Sequence, residues 1–326
     1  MLKKIMLKKI FHAIAPRPKL VHVPVDCPPL QHYPGYLPGD RDLVLRYAKE
    51  RAEIGENAYI DGFGVTTEFA CVPFVAPSAL ILERLQLPMP DDGFHAEGVE
   101  YAALLDSFHH RKVGERFTAV EVGSGWGPWI GLAGVLACSN GVKQLRLIGA
   151  EASSERYALM CRHLKGNGLV SDTTKTVTTF NGAVWTHDGE VQFPDSDVAD
   201  MGPAVAANEL RTDYRGRSVR LQSIPCKKLS TLCEGAATVD FLHIDIQGSE
   251  YQLISAELDW INENVRSMMI ATHSRVIEGL IMDLLGKSGW SLCREKPCRF
   301  TLEGGAASWE GRALVDGSQY WRNDQI

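Results

Sequence analysis

The stretch Phe117-Thr-Ala-Val-Glu-Val-Gly-Ser-Gly-Trp-Gly-Pro128 runs from an apolar segment through three glycines at alternate positions into a proline. Phe117 to Val122 reads as a strand. Pro128 suits the first turn of a helix, where its missing N–H is not needed and its fixed φ is already helical. The glycines between them supply a tight turn and let the backbone come close to a neighbour. Strand, glycine turn and helix in that order open a parallel α/β sheet, whose ligand sites lie beyond the carboxyl ends of the strands.

The same rhythm continues downstream. A helix over Pro128 to Cys138 is capped by Asn140-Gly141, and Leu145 to Ala150 makes a second strand. A helix from Ser154 to Leu164 stops at Gly166-Asn-Gly168. Thr176 to Val184 reads as a third strand, which Gly189 turns into a short hairpin ending at Phe193. Residues 194–217 carry no clear period and read as an insertion or lid. The alternation resumes with a short helix at Lys228 to Cys233, a buried strand Val239 to Ile246 and a helix from Ser249. Strand Ser267 to Thr272 and helix Arg275 to Gly286 follow. The tail, Trp290 to Phe300 and Arg312 to Trp321 with Asp316-Gly317 as a turn, reads as antiparallel strands. The expected fold is α/β, a seven-stranded doubly wound sheet, mostly parallel with an antiparallel C-terminal strand.

Upstream the pattern changes. Met-Leu-Lys-Lys-Ile occurs twice, from Met1 and from Met6, and reads as a frayed terminus or as a helix on a membrane surface. Seven of the 16 prolines fall between Pro16 and Pro38, which marks residues 1–39 as a Pro-rich arm. Residues 40–114 read as a mixed helical extension, with helices near Asp42 to Ile54 and His95 to His110. Between them Phe69 to Leu82, apolar and broken by prolines, is expected to pack on the main domain, residues 115–326.

A chain of 326 residues, 45% hydrophobic and 23% charged, excludes collagen-like, disordered and small disulfide-framework classes. Its eight cysteines form no C-x-x-C pair and read as reduced thiols, which points to the cytoplasm. The 40 acidic and 34 basic residues give a formal charge of −6, opposite in sign to a phosphate-neutralising surface, so no nucleic-acid partner is expected. Val122 to Val142 is uncharged but holds six glycines, so no transmembrane segment is expected there.

A dinucleotide fingerprint needs G-x-G-x-x-G, and Pro128 stands where its last glycine belongs. With Glu121 at the strand end, the run reads instead as an acid-x-G-x-G-x-G loop, the pattern of S-adenosylmethionine sites. Glu121, Gly123, Ser124, Gly125 and Trp126 are its candidate contacts. Glu151 ends the second strand and is placed to receive both ribose hydroxyls. The same acid would serve NAD, and a solvated carboxylate leading a helix is the plain alternative. Val239-Asp-Phe-Leu-His-Ile-Asp-Ile-Gln-Gly-Ser-Glu250 delivers polar side chains to the same sheet edge, with Asp245 near the transferred methyl group. His273 ends the fifth strand there, as a candidate base for a substrate hydroxyl or as a structural histidine.

In Glu121-Val-Gly-Ser-Gly-Trp-Gly127, Glu151, Phe180-Asn-Gly-Ala-Val184, Asp240-Phe-Leu-His-Ile-Asp-Ile-Gln-Gly-Ser-Glu250 and His273, in that order and spacing, the chain resembles the FkbM-type methyltransferase family. The resemblance covers roughly residues 95 to 300. It implies a Rossmann-like class I methyltransferase fold and transfer from S-adenosylmethionine, usually to a hydroxyl of a sugar or other natural-product scaffold. Carried over by position, Glu121, Gly123, Gly125, Glu151 and Asp245 would hold the cofactor, with Asn181 and Ala183 beside the adenine. Two positions depart from the family: His243 stands where Lys is usual and Gln247 where Glu is usual. A neutral Gln247 cannot be a base or an anionic metal ligand, so no metal is expected.

The expectation is therefore an O-methyltransferase acting on a small-molecule or glycan hydroxyl, with the arm and residues 194–217 over the acceptor site. An NAD-dependent oxidoreductase and a cofactor-binding homologue that has lost catalysis are the alternatives.

Overall fold

Every residue of the strands Phe241–Ile244 and Ser267–Thr272 is buried, as is all but the first residue of Arg116–Val122. Strands covered on both faces belong inside a parallel sheet flanked by helices. The computed structural model describes residues 35–48, 53–73, 89, 97–110, 116–195, 202–205, 218–302 and 308–326. Its first elements are α1 (Asp40–Tyr47), β1 (Glu53–Ile54), β2 (Ala58–Ile60), β3 (Thr66–Glu68), α2 (Gly98–His110), β4 (Arg116–Val122), α3 (Pro128–Ser139) and β5 (Gln144–Glu151). Next come α4 (Ser154–Gly166), β6 (Lys175–Asn181), β7 (Ala183–Val184), β8 (Gly189–Asp195), β9 (Arg220–Lys227), α5 (Leu229–Leu232), β10 (Phe241–Ile244), α6 (Glu250–Ala256) and α7 (Leu258–Asn264). The chain closes with β11 (Ser267–Thr272), α8 (Arg275–Lys287), β12 (Ser291–Lys296), β13 (Arg299–Phe300), β14 (Ala313–Val315) and β15 (Gly317–Arg322).

The central sheet has the order β12-β15-β11-β10-β4-β5-β6. Strands β11, β10, β4, β5 and β6 run parallel, and β15 lies antiparallel between β11 and β12. An α/β sheet with one antiparallel strand slotted beside its last parallel one is the Rossmann-like class I methyltransferase arrangement. Because the chain leaves β4 toward β5 and returns to β10 on its other side, the strand order reverses between β4 and β10. The glycine turn sits at that reversal. One apolar layer, with Phe108, Ile130 and Met160, packs α2, α3 and α4 on one face of the sheet. The other, with Ile254, Ile261 and Ile281, packs α6, α7 and α8 on the opposite face.

Three expectations about the elements are corrected. The third strand does not run on to Val184. A Cβ on Gly182 would stand 2.4 Å from the Pro225 carbonyl oxygen, and there the chain leaves the central sheet. Ala183–Val184 instead pairs with β9, whose other edge takes β8. The Gly189 segment therefore pairs with Arg220–Lys227 and not back on the third strand. Likewise the first helix ends at Tyr47, and Ile54 belongs to β1. Residues 1–34, most of 194–217, and Phe69 to Leu82 beyond Pro73 lie outside the described residues. Among the described residues no helix is long and apolar enough to cross a membrane.

The helices before β4 are tied to the far edge of the sheet by charge. Arg294 of β12 donates to Asp40 of α1 at 2.7 Å and to Asp106 of α2 at 3.4 Å, with Arg294 and Asp40 both buried. Removing one member of a buried pair leaves the other uncompensated, so Arg294→Met should lower the unfolding free energy by about 3–5 kcal/mol in urea titrations. Arg294→Met/Asp40→Leu should recover at least half of it; equal losses in both would show that packing, not charge, sets the cost.

His163 of α4 lies buried over Gly131, with no hydrogen bond to either ring nitrogen among the described residues. Burial pushes it down to about 4. The folded chain thus resists a proton that the unfolded chain takes up near 6.5, so the stability from the neutral ring is full above that pH and is lost as pH falls toward 4. Between pH 7 and pH 5 the loss from this group should be about 2 kcal/mol, and His163→Leu should lack it in the same titrations.

Candidate active site

The glycine turn is built by its own backbone. Gly123 and Ser124 both donate their N–H to the Ala150 carbonyl at 3.0 Å, and the Ser124 hydroxyl donates to the Glu121 carbonyl at 2.7 Å. Gly123, Gly125 and Gly127 hold φ of 74°, 53° and 75°, in the left-handed region that favours glycine. A Cβ on Gly123 would stand 1.7 Å from the Asp245 carbonyl oxygen, so this turn is pressed directly on the end of β10. Glu121 is buried beneath it and accepts from Ile130 N–H at 3.0 Å and, more weakly, Trp129 N–H at 3.4 Å. It caps α3, whose N-cap Gly127 offers no side chain. Burial pushes Glu121 up to about 8.

Glu151 stands at the end of β5. Its carboxylate accepts from Gly125 N–H at 2.8 Å and Ser153 N–H at 2.7 Å, with Arg156 at 3.5 Å. Above it opens a cavity of about 600 Å³ whose apolar wall includes Val184, Trp185, Phe193 and Val205, and whose far end holds Asp245 and Gln247. Ala183 lines it too. Asn181 does not; its amide donates to the Glu151 carbonyl at 3.0 Å and accepts from the Ser154 hydroxyl, cross-linking the ends of β5 and β6. Trp185 and Phe193 were not singled out from the sequence. The signal was present: an aromatic directly follows β7 and another sits in the strand after Gly189.

A second cavity, about 780 Å³, shares Gly123, Gly125, Asp245 and Gln247 with the first. Its walls bring together Glu97 and Glu100 from α2 or just before it, Trp126 and Trp129, Glu121, His243 and Asp316. Trp126 belongs here, packed with Tyr59, Cys71 and Val72. Burial opposes a charge on His243, but its hydrogen bond to the Glu100 carboxylate at 3.1 Å and the charge of Glu100 win and raise the ring's pKa.

The two cavities meet at a buried cluster. His273, 2% exposed, sets Nδ1 at 2.9 Å from Glu250 Oε1, with Nε2 at 3.4 Å from Asp245 Oδ1 and 3.9 Å from Asp316 Oδ2. Burial works against its charge, yet Glu250, Asp245 and Asp316 together push it up to about 10. Burial in turn pushes Asp245 up to about 6. Of the two readings of His273, base for a substrate hydroxyl or structural histidine, the geometry favours the second: the ring lines neither cavity, and Glu250 and Asp245 lie on either side of it. Asp245 is the carboxylate that faces both spaces. Gln247 holds φ 55°, the positive-φ residue other than glycine among the described residues, and donates to Asp245 Oδ1 at 2.9 Å.

The sheet order and the glycine turn beside Asp245 define a methyltransferase of the class I fold. Over 276 residues the chain is 30% identical to a Jannaschia sp. (strain CCS1) protein named "Putative methyltransferase", covering 80% of this chain and 92% of that one, and it belongs to that methyltransferase family. No family model matches the chain. Solved structures of similar fold include one titled "crystal structure of a putative RNA methyltransferase PH1948 from Pyrococcus horikoshii" (TM-score 0.35, 10% identity, 70% of this chain and 84% of that chain). Another is a Methylobacillus flagellatus KT structure titled methyltransferase FkbM (TM-score 0.37, 14% identity, 71% of this chain and 56% of that chain). The exclusion of nucleic acid drawn from net charge is corrected: a structure titled "putative RNA methyltransferase" stands among those of similar fold, and a charge summed over the chain does not describe the charge at one face.

Gly123→Ala should displace the turn or the end of β10, since the added methyl meets backbone at a φ that penalises it. We expect a loss above about 3 kcal/mol in urea titrations, against about 1 kcal/mol for the solvent-facing Gly141→Ala, whose Cβ meets nothing within 4 Å. Equal losses would remove the contact with Asp245 as the reason for glycine.

Proposed function

We propose that this methyltransferase is of FkbM type and transfers the methyl group of S-adenosylmethionine to a hydroxyl oxygen of a sugar or natural-product scaffold. The observation that carries the reading is the meeting of two cavities at Asp245, one suited to a nucleoside and one to a polyol. In the first, Glu151 keeps lone pairs for ribose hydroxyls, and Val184, Trp185 and Phe193 offer a flat base an apolar wall. In the second, carboxylates from four elements accept hydroxyl hydrogens while Trp126 and Trp129 pack apolar faces. The antiparallel β15 inside the sheet counts against the all-parallel dinucleotide fold of the NAD alternative.

When bound, S-adenosylmethionine supplies an electrophilic methyl group on a positively charged sulfur. Asp245 and the glycine turn would hold the acceptor oxygen in line with that carbon, where proximity supplies much of the rate. An acceptor oxygen held there would gain the O–C bond as the S–C bond is lost, with the electron pair of that bond left on sulfur. The hydroxyl proton would pass to Asp245, the carboxylate that lines both cavities. Gln247 fixes the Asp245 rotamer through its hydrogen bond, and His273 holds the carboxylate from behind.

Calorimetry with S-adenosylhomocysteine tests the first cavity: Glu151→Ala should weaken binding by about 10- to 150-fold, the worth of a charge-assisted pair of hydrogen bonds. No binding by the unaltered chain would refute the reading. Labelled methyl groups offered with hydroxylated scaffolds and with RNA test the acceptor, and label found only in RNA would replace the proposed substrate class.

A further inference from the structure

We infer that His273 Nε2, Asp245 and Asp316 form a site for a divalent first-row metal ion at the junction of the two cavities. The site stands on geometry alone; the ion's part in the reaction rests on the proposed methyl transfer. The ligand atoms offered by Asp245, Glu250 and His273 lie within 4.8 Å of one another. A cluster of acids is common without an ion, and here two buried atoms distinguish it. His273 Nε2 and Glu250 Oε2 make no hydrogen bond among the described residues, although both residues are buried, Glu250 completely. Buried polar atoms without a protein partner are rare, and a bound ion is one reason for them.

Glu250 explains which ring nitrogen faces the junction. Its Oε1 already receives Ile246 N–H at 3.2 Å and Gly248 N–H at 3.0 Å, and it takes His273 Nδ1 at 2.9 Å as a third donor. A carboxylate behind Nδ1 holds the ring so that Nε2 points forward, where an ion would take the place of its proton, the relay by which metal-bound histidines are oriented. In front of Nε2 stand Asp245 Oδ1 at 3.4 Å and Asp316 Oδ2 at 3.9 Å. Ligands at roughly 2.0–2.2 Å from one ion lie roughly 3.0–3.6 Å apart, a range that holds the Asp245 distance, while Asp316, half-exposed on the turn before β15, would close on the ion by a side-chain rotation.

One imidazole and two carboxylates suit Mn²⁺ or Zn²⁺ better than Mg²⁺. Both aspartates line the second cavity, so the open coordination positions face the space assigned to the acceptor. An ion there would polarise an acceptor hydroxyl and make its proton easier to lose. The sequence argued against a metal because Gln247 leaves Asp245 without a neighbouring carboxylate. Folding supplies the missing one, Asp316, from the antiparallel tail.

The test is Mn²⁺ titrated into the full chain after chelator treatment, followed by electron paramagnetic resonance. One ion per chain should bind, displaced by Zn²⁺, with nitrogen modulation from an imidazole in the pulsed spectrum. His273→Gln should abolish the modulation, and Asp316→Asn, on an exposed turn where folding is not at stake, should weaken binding by about tenfold or more. No Mn²⁺ or Zn²⁺ bound by about 1 mM, or affinity unchanged in Asp316→Asn and Asp245→Asn, would overturn the site. S-adenosylhomocysteine titrated into the metal-free chain keeps the two readings apart: binding there without any Mn²⁺ site overturns the metal alone.

Discussion

The close approach of the Gly123 backbone to the Asp245 carbonyl is the contact on which the rest of the site depends. It joins the end of β4 to the end of β10 where the sheet order reverses, with almost no space between the two turns. Because no side chain intervenes, Gly125 reaches Glu151 on one side and Asp245 faces both cavities on the other. Glu121 supports the arrangement from below by capping α3. The acid of the acid-x-G-x-G-x-G pattern thus works in this chain as a helix cap, and the first glycine as a spacer between two backbones.

Charge organises the second cavity from a distance. Asp40, Asp106 and Arg294 fasten α1 and α2 to β12, and Lys296 of that strand pairs with Glu97 just before α2. That anchoring brings Glu97 and Glu100 to the cavity wall, where Glu100 meets His243. The extension before β4 is therefore part of the site, although it lies outside the glycine-loop motif. At that wall the Glu100 carboxylate beside the buried His243 ring raises the ring's pKa against its burial.

Much of the fold was legible because it follows from local pattern. Strand Ser267–Thr272 and the starts of α3 and α8 agree with the sequence reading, since Pro128 and Ser274 punctuate them. The split at Gly182 was not legible, because its cause is a carbonyl of Pro225 far along the chain. The same holds at the site. Glu151 and Asp245 could be placed from strand ends, whereas Asp316 arrives through the antiparallel tail and Trp185 through a second sheet. His273 was found by position, whereas a strand end does not reveal that Glu250 and Asp245 lie on either side of the ring.

A crystal structure of the chain with S-adenosylhomocysteine tests the central claim most directly. The account predicts the ribose on Glu151, the adenine against Val184, Trp185 and Phe193, and the sulfur directed past Gly125 toward Asp245 and the second cavity. A nucleoside bound elsewhere, or in the first cavity with its sulfur turned away from Asp245, would contradict it.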